Sequence, residues 1–180
     1  MEFPILETSR LQLVQIGQQY AGRFYEIMSR EDVTEYYGMD KLINQQEAEA
    51  IIKSFQSAFD SKRGMRWGIV LKENGDFIGT IGLNNLNVQA KKSEIGYELH
   101  PDYWRQGFMK EAIKAVLQYA FENLDLVRMG AVTFPDNEAS SRLLRKMGFT
   151  EEGRLRSYLY QGGQSHDALI FSLLKPEWEK

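Results

Sequence analysis

The sequence predicts a single mixed α/β domain of the α+β kind, in which an antiparallel meander leads through a helix to a buried parallel strand, then a helix and a hairpin. Three observations predict it. Apolar residues alternate with polar ones in successive short stretches up to Leu99, separated by turn residues, as in strands with one buried face. Three- and four-residue apolar spacing then runs from Met109 to Leu124, the period of an amphipathic helix. The apolar run Leu126 to Phe134 follows that helix directly, as a strand does when a crossover lays it parallel to its predecessor. At 180 residues the chain suits one domain over 1–180, and its nine tyrosines, ten phenylalanines and three tryptophans supply a core without metal or disulfide staples.

The opening strand is Arg10 to Ile16, carried by Leu11, Leu13 and Ile16. A helix over Gln18 to Ser29 follows from Phe24, Ile27 and Met28 on one face. A second, from Asn44 to Asp60, carries Ala48, Ile51, Ile52, Phe55 and Phe59, with Asn44 as N-cap. Between them, Tyr36 and Tyr37 read either as loop anchors or as the wall of a substrate pocket. Trp67 to Lys72 and Phe77 to Leu86 are strands around the turn Glu73-Asn74-Gly75-Asp76, and Gly79 and Gly82 mark bulges or close backbone approach. Lys91-Lys92-Ser93 turns into the strand that ends near Leu99. After the crossover, Asn137 caps a helix with Glu138 at its positive end, Arg145 and Lys146 at its negative end and Gly148 at its stop. Strands Glu151 to Tyr160 and Asp167 to Leu174 then flank the hairpin Gln161-Gly162-Gly163-Gln164.

Composition excludes several chemistries. Without cysteine there is no thiolate metal site, no disulfide and no cysteine nucleophile, and with only His100 and His166 a zinc site would need an unusual carboxylate set. A net charge of −3 argues against nucleic acid as partner. The segment MEFPILETSR is no targeting signal, and no apolar run approaches the roughly 20 residues that span a bilayer, so no membrane partner is expected and the cytoplasm is the expected location.

The organising stretch is IGYELHPDYWRQGFMKEA, from Ile95 to Ala112: a strand, a Pro101-Asp102 turn and a helix start. The first turn of a helix leaves backbone N–H groups unpaired, and with the helix dipole they form an anion site. Gly107 lets backbone approach a phosphate closely, and Arg105 and Lys110 add positive charge. The P-loop is excluded because Phe108 follows the glycine, and the dinucleotide fingerprint because the loop has one glycine, not three. On this loop alone an ordinary turn fits as well as a pyrophosphate cradle.

With ETSRLQL near the start, GTIGL before the organising stretch, GYELHPDYWRQGFMKEA itself, N-x-x-S from Asn137, and KMGF followed by EEG, nearly the whole chain resembles the GNAT acetyltransferases, specifically their RimJ/RimL-type branch. The resemblance implies a mixed seven-stranded sheet with helices on both faces, and acetyl-CoA bound where the fourth and fifth strands splay apart. It implies that the pantetheine arm adds to the backbone of Glu98, Leu99 and His100. The pyrophosphate would sit on the loop Trp104 to Met109, taking in Arg105, Gln106, Gly107 and Phe108 and continuing to Lys110. It further implies that Asn137 contacts coenzyme A as well as capping its helix. Leu144 departs from the pattern, standing where many members carry a tyrosine that protonates the leaving thiolate.

Acetyl transfer to nitrogen needs a neutral amine, a polarised thioester and a proton for sulfur. An α-amino group of pKa near 8 costs about 1.4 kcal/mol to deprotonate at neutral pH and a lysine about 4.6, so an N-terminal amine is the easier acceptor. Glu98, Glu152 and Glu94 are candidate bases, each also readable as a solvated surface charge. Ser140 is the candidate donor to the thiolate and is also placed for helix capping, as is Ser141. The leading function is acetyl transfer to a protein or peptide N-terminus. A small-amine acetyltransferase and a non-catalytic acyl-CoA-binding domain are the alternatives, with the acceptor pocket in Glu31 to Gln45 and Val88 to Lys92 and a homodimer as the oligomer to test.

Overall fold

The computed structural model describes residues 2–180. Eight strands form one open sheet: β1 (Leu6–Glu7), β2 (Leu11–Gln15), β3 (Met65–Leu71), β4 (Phe77–Asn87), β5 (Lys92–Leu99), β6 (Arg128–Thr133), β7 (Thr150–Gln161) and β8 (Gln164–Leu174), in the order β1-β2-β3-β4-β5-β6-β8-β7. The helices are α1 (Ala21–Met28), α2 (Glu31–Thr34), α3 (Gln45–Asp60), α4 (Phe108–Gln118), α5 (Glu138–Lys146) and α6 (Lys175–Trp178). The strand beyond the expected seven is β1, which pairs Leu6 with Leu13 and Glu7 with Gln12. Two residues are too few to show a period, so its origin is backbone pairing alone.

Local signals act where the sequence places them. Asn44 Oδ1 accepts from Glu47 N at 3.0 Å while Glu47 Oε2 accepts from Ile43 N at 2.7 Å, so both donors at the entry to α3 are satisfied. The β7–β8 hairpin turns on Gly162 and Gly163, both at positive φ (63° and 73°), the backbone that a tight two-residue connection demands. Gly79 and Gly82 mark close approach: a Cβ on Gly79 would stand 2.2 Å from the carbonyl oxygen of Glu98, and one on Gly82 2.4 Å from that of Met65.

The sheet carries two cores. Leu11, Leu13, Trp67, Ile69, Leu71, Ile81 and Ile95 face α4, whose Ala112, Ile113, Val116 and Leu117 are buried against them, and Leu144 of α5 joins this side. On the other face Val70 and Phe77 pack with Phe24, Ile27 and Met28 of α1 and with Ala48 and Ile52 of α3. Helices thus cover both faces of the sheet.

Every neighbouring pair is antiparallel except β5–β6, which is parallel. That pair is held only at Lys92–Arg128, Ser93–Met129 and Glu94–Gly130. Beyond it, β5 runs on to Leu99 and β6 to Thr133 unpaired with each other, so the strands splay toward their C-terminal ends.

Candidate active site

The splay leaves one edge of β5 free. His100 N donates to Ile78 O at 2.8 Å, back toward β4, and the alternation of a strand therefore turns the N–H of Leu99 to the opposite edge, facing the gap. The Leu99 carbonyl accepts from the Trp104 indole N–H at 2.7 Å, which folds the following loop back over the strand end. His100 is buried; its Nδ1 accepts from Asp102 N at 3.2 Å and so starts the short 3-10 turn Pro101–Tyr103.

That turn delivers the chain to α4. Arg105 (φ 59°) and Gly107 (φ 81°) both adopt left-handed backbone, and Gly107 caps α4 without any side chain accepting from the first-turn N–H groups of Phe108, Met109 and Lys110. Side chains of Arg105, Gln106 and Lys110 are exposed, and among the described residues neither cation is in an ion pair, while Phe108 and Met109 anchor the loop in the core. Arg10, a residue not singled out from the sequence, fixes the loop's outer side. Its Nη1 donates to Gln106 O at 3.0 Å, its Nε to Glu111 Oε2 at 2.8 Å, and its guanidinium lies 4.2 Å from the Phe108 ring centre. The result is a set of open N–H donors flanked by free cations, a fit for a pyrophosphate.

Glu98 sits on β5 facing the α1/α3 side, its side chain 2% exposed. Thr80 Oγ1 donates to its Oε1, and Arg66 Nη1 stands 3.9 Å from its Oε2. Arg66 is itself buried, donating to Gly96 O at 3.0 Å and to Asn84 Oδ1 at 2.9 Å, with its guanidinium 5.6 Å from the Phe55 ring centre. The Tyr37 hydroxyl also faces the carboxylate, and burial followed by the Glu98 charge pushes its pKa well above the ordinary phenol value. Burial raises the Glu98 pKa, and Arg66, Thr80 and Tyr37 oppose the rise without cancelling it. Among the described side chains, Glu98 Oε2 is the buried polar atom left without a hydrogen bond of normal geometry.

One residue earlier, Tyr97 points to the other face. Its hydroxyl lies 2.8 Å from Ser140 Oγ, so a hydrogen bond joins β5 to the first turn of α5. Burial pushes the Tyr97 phenol up to about 12, with the Ser140 bond working against the rise. Asn137 caps α5 as expected, Oδ1 accepting from Ser140 N at 3.2 Å, and Leu144 is fully buried in the core one turn further on.

The remaining glutamates lie elsewhere. Glu152 forms a two-point pair with Arg128, at 2.8 and 2.6 Å, and accepts from Ser172 Oγ at 2.7 Å. Its backbone lies level with Ala131 and Val132, but the carboxylate is turned back to Arg128 and Ser172, whose bonds hold it down at about 2 and leave it engaged on both oxygens. Glu152→Gln is therefore expected to change kcat by less than about threefold in a steady-state assay. Glu94 is at the last paired position, accepting from Asn85 Nδ2 at 3.2 Å. The turn Val88 to Lys92, expected to line the acceptor pocket, is tied to the same closed end, with Val127 N donating to Lys91 O at 2.8 Å and Lys91 Nζ 2.6 Å from Asp125.

The other expected acceptor segment does reach the open end. Gln161 of the β7–β8 hairpin donates to Thr34 O at 2.7 Å and accepts from Gly38 N at 2.8 Å, and Gly162 N donates to Asp40 at 2.8 Å. Tyr36 meets Phe134, just past β6, with ring centres 5.9 Å apart. Tyr36 thus packs at the end of β6, and the Tyr37 hydroxyl is buried against Glu98 and Arg66.

The family model described as Acetyltransferase (GNAT) domain matches residues 10–150. The chain belongs to the GNAT acetyltransferase family. It is 47% identical over 174 residues to the uncharacterized N-acetyltransferase YoaA of Bacillus subtilis (strain 168), covering 97% of this chain and 98% of that one. It is 32% identical over 113 residues to the [Ribosomal protein uS5]-alanine N-acetyltransferase of Escherichia coli (strain K12), covering 62% of this chain and 58% of that one. The fold is that of the RimL ribosomal L7/L12 alpha-N-protein acetyltransferase in complex with coenzyme A, at a TM-score of 0.84 and 18% identity over 95% of this chain and 98% of that one. This GNAT member is an N-acetyltransferase, and none of its described helices is long and apolar enough to cross a membrane.

Proposed function

We propose that this enzyme transfers the acetyl group of acetyl-CoA directly to the α-amine of a protein or peptide N-terminus bound in the same complex. The observation that carries the reading is the buried Glu98 carboxylate on β5, beside the gap between parallel strands, whose Oε2 has the Arg66 charge 3.9 Å away but no hydrogen bond of normal geometry. A buried carboxylate oxygen without a full hydrogen bond is costly, and an entering amine supplies an N–H to it. The raised pKa makes Glu98 a stronger base than an ordinary carboxylate, suited to an amine of pKa near 8. The ribosomal-protein N-termini named for relatives support a peptide acceptor.

Acetyl-CoA supplies the activated acyl group as a thioester. The N–H groups of Phe108, Met109 and Lys110 take the pyrophosphate, Arg105 and Lys110 add charge around it, and the free N–H of Leu99 receives the pantetheine arm. Asn137 and Ser140 stand at the far wall of the gap, on α5. Gly107→Val is expected to weaken acetyl-CoA binding at least tenfold by calorimetry, because its branched side chain would crowd the phosphate site and its backbone resists φ of 81°. Gly107→Ala carries the same backbone strain with less bulk, so equal loss in both variants would assign the effect to strain and not to the phosphate site.

Thiol release from acetyl-CoA, followed with a panel of free-amine peptides, N-terminally blocked lysine peptides, polyamines and amino sugars, tests the acceptor. Free N-termini should be turned over at least 100-fold faster than blocked lysine peptides. A preference for a polyamine or amino sugar would overturn the peptide reading.

A further inference from the structure

Acetyl transfer deposits charge on sulfur as well as removing it from nitrogen, and the two ends of the reaction need different groups. Consecutive residues of a strand face opposite sides, so Glu98 and Tyr97 project from one point of β5 to the two faces of the sheet. Glu98 looks into the α1/α3 side, and Tyr97 into the α4/α5 side. The gap through which a thioester would thread lies at the edge of that same strand. Leu144, one turn beyond Ser140 on α5, has no proton to give.

We propose that Tyr97 is the general acid that protonates the departing thiolate, with Ser140 as the positioning residue that holds its hydroxyl at the gap. The inference rests on the reading of this site as one of acetyl transfer to an amine. A phenol is a far stronger acid than an aliphatic alcohol, so within the Tyr97–Ser140 pair the proton comes from Tyr97, and Ser140 Oγ–H turns to donate to the phenolate oxygen at 2.8 Å. Burial also keeps the phenol protonated throughout the neutral range. The balance is complete: the C–N bond forms as the amine's proton passes to Glu98. The C–S bond breaks with its electron pair going to sulfur, the Tyr97 O–H proton moves to sulfur, and water reprotonates the phenolate while Glu98 returns its proton to solvent.

The test uses the full chain with acetyl-CoA and whichever amine the panel shows to be best, so a wrong acceptor overturns the peptide reading and leaves this one standing. Tyr97→Phe should lower kcat about 100-fold or more, with KM for the amine, acetyl-CoA affinity and melting temperature near those of the parent. Ser140→Ala should lose about tenfold, since the phenol remains but is less well held. A fluorinated tyrosine at position 97, whose phenol ionises several units lower, should bring an alkaline fall in kcat into the measurable range where the parent is flat. A Tyr97→Phe kcat within threefold of the parent, or no new alkaline limb with the fluorinated residue, would overturn the assignment. So would a loss of acetyl-CoA affinity that fully accounts for the loss of turnover.

Discussion

Glu98→Gln is expected to lower kcat at neutral pH by about 100- to 10,000-fold while leaving acetyl-CoA affinity nearly unchanged. The substitution keeps the shape and the Thr80 contact but removes the proton acceptor, and Glu98 lies on the face away from the donor loop. The loss should shrink as pH rises past about 8, because the acceptor amine then deprotonates without help. Stability should move in the opposite sense. A carboxyl whose folded pKa is raised binds protons more tightly folded than unfolded, so its contribution is present below the unfolded value and lost as pH rises through the folded one. The parent should therefore lose stability on account of this residue as pH rises above the ordinary carboxyl range, and Glu98→Gln should lack that slope. Parallel pH–rate and pH–melting curves of the two proteins check both statements, and a variant within threefold of the parent in kcat would remove Glu98 from the chemistry.

What was legible in the sequence is what is local. The Asn44 and Asn137 caps, the Gly162-Gly163 turn and the left-handed Gly107 act over a few residues, and the residue types alone imply them. The splay was legible through the resemblance, and β1 escaped because it has no period to read. Glu152 follows KMGF closely in sequence, yet its carboxylate is taken up by Arg128 and Ser172, 24 and 20 residues away, partners that only the sheet order brings to it. Arg10, Arg66 and Tyr97 reach partners 101, 30 and 43 residues away, and nothing in their own neighbourhoods marks those contacts. The sequence points to Ser140 as the thiolate donor, and the hydroxyl that the fold sets 2.8 Å from it, that of Tyr97, lies 43 residues away with no local signal.

The largest structural effect is expected at Arg66. Arg66→Met should cost about 3–5 kcal/mol of stability in denaturant unfolding, or about 6–20 °C in melting temperature for a chain of this size. The methionine fills much of the stem's volume, so packing against Phe55 is partly kept, but the forked donor is gone. Gly96 O and Asn84 Oδ1 then lose their partner, and Glu98 loses the cation 3.9 Å from Oε2. Because Arg66 is what chiefly opposes the burial-driven rise in the Glu98 pKa, that pKa should climb further in the variant. By the same sign rule, the deficit should be smaller in acid, where Glu98 is protonated in both proteins, and should grow as pH rises. The acid limb of the pH–rate profile should move to higher pH alongside it. Arg66→Lys keeps a charge without the fork and should recover the pH behaviour better than the stability. A deficit under about 1 kcal/mol that is the same at pH 5 and pH 8 would show that the Arg66–Glu98 pair sets neither the stability of the site nor the proton affinity of its base.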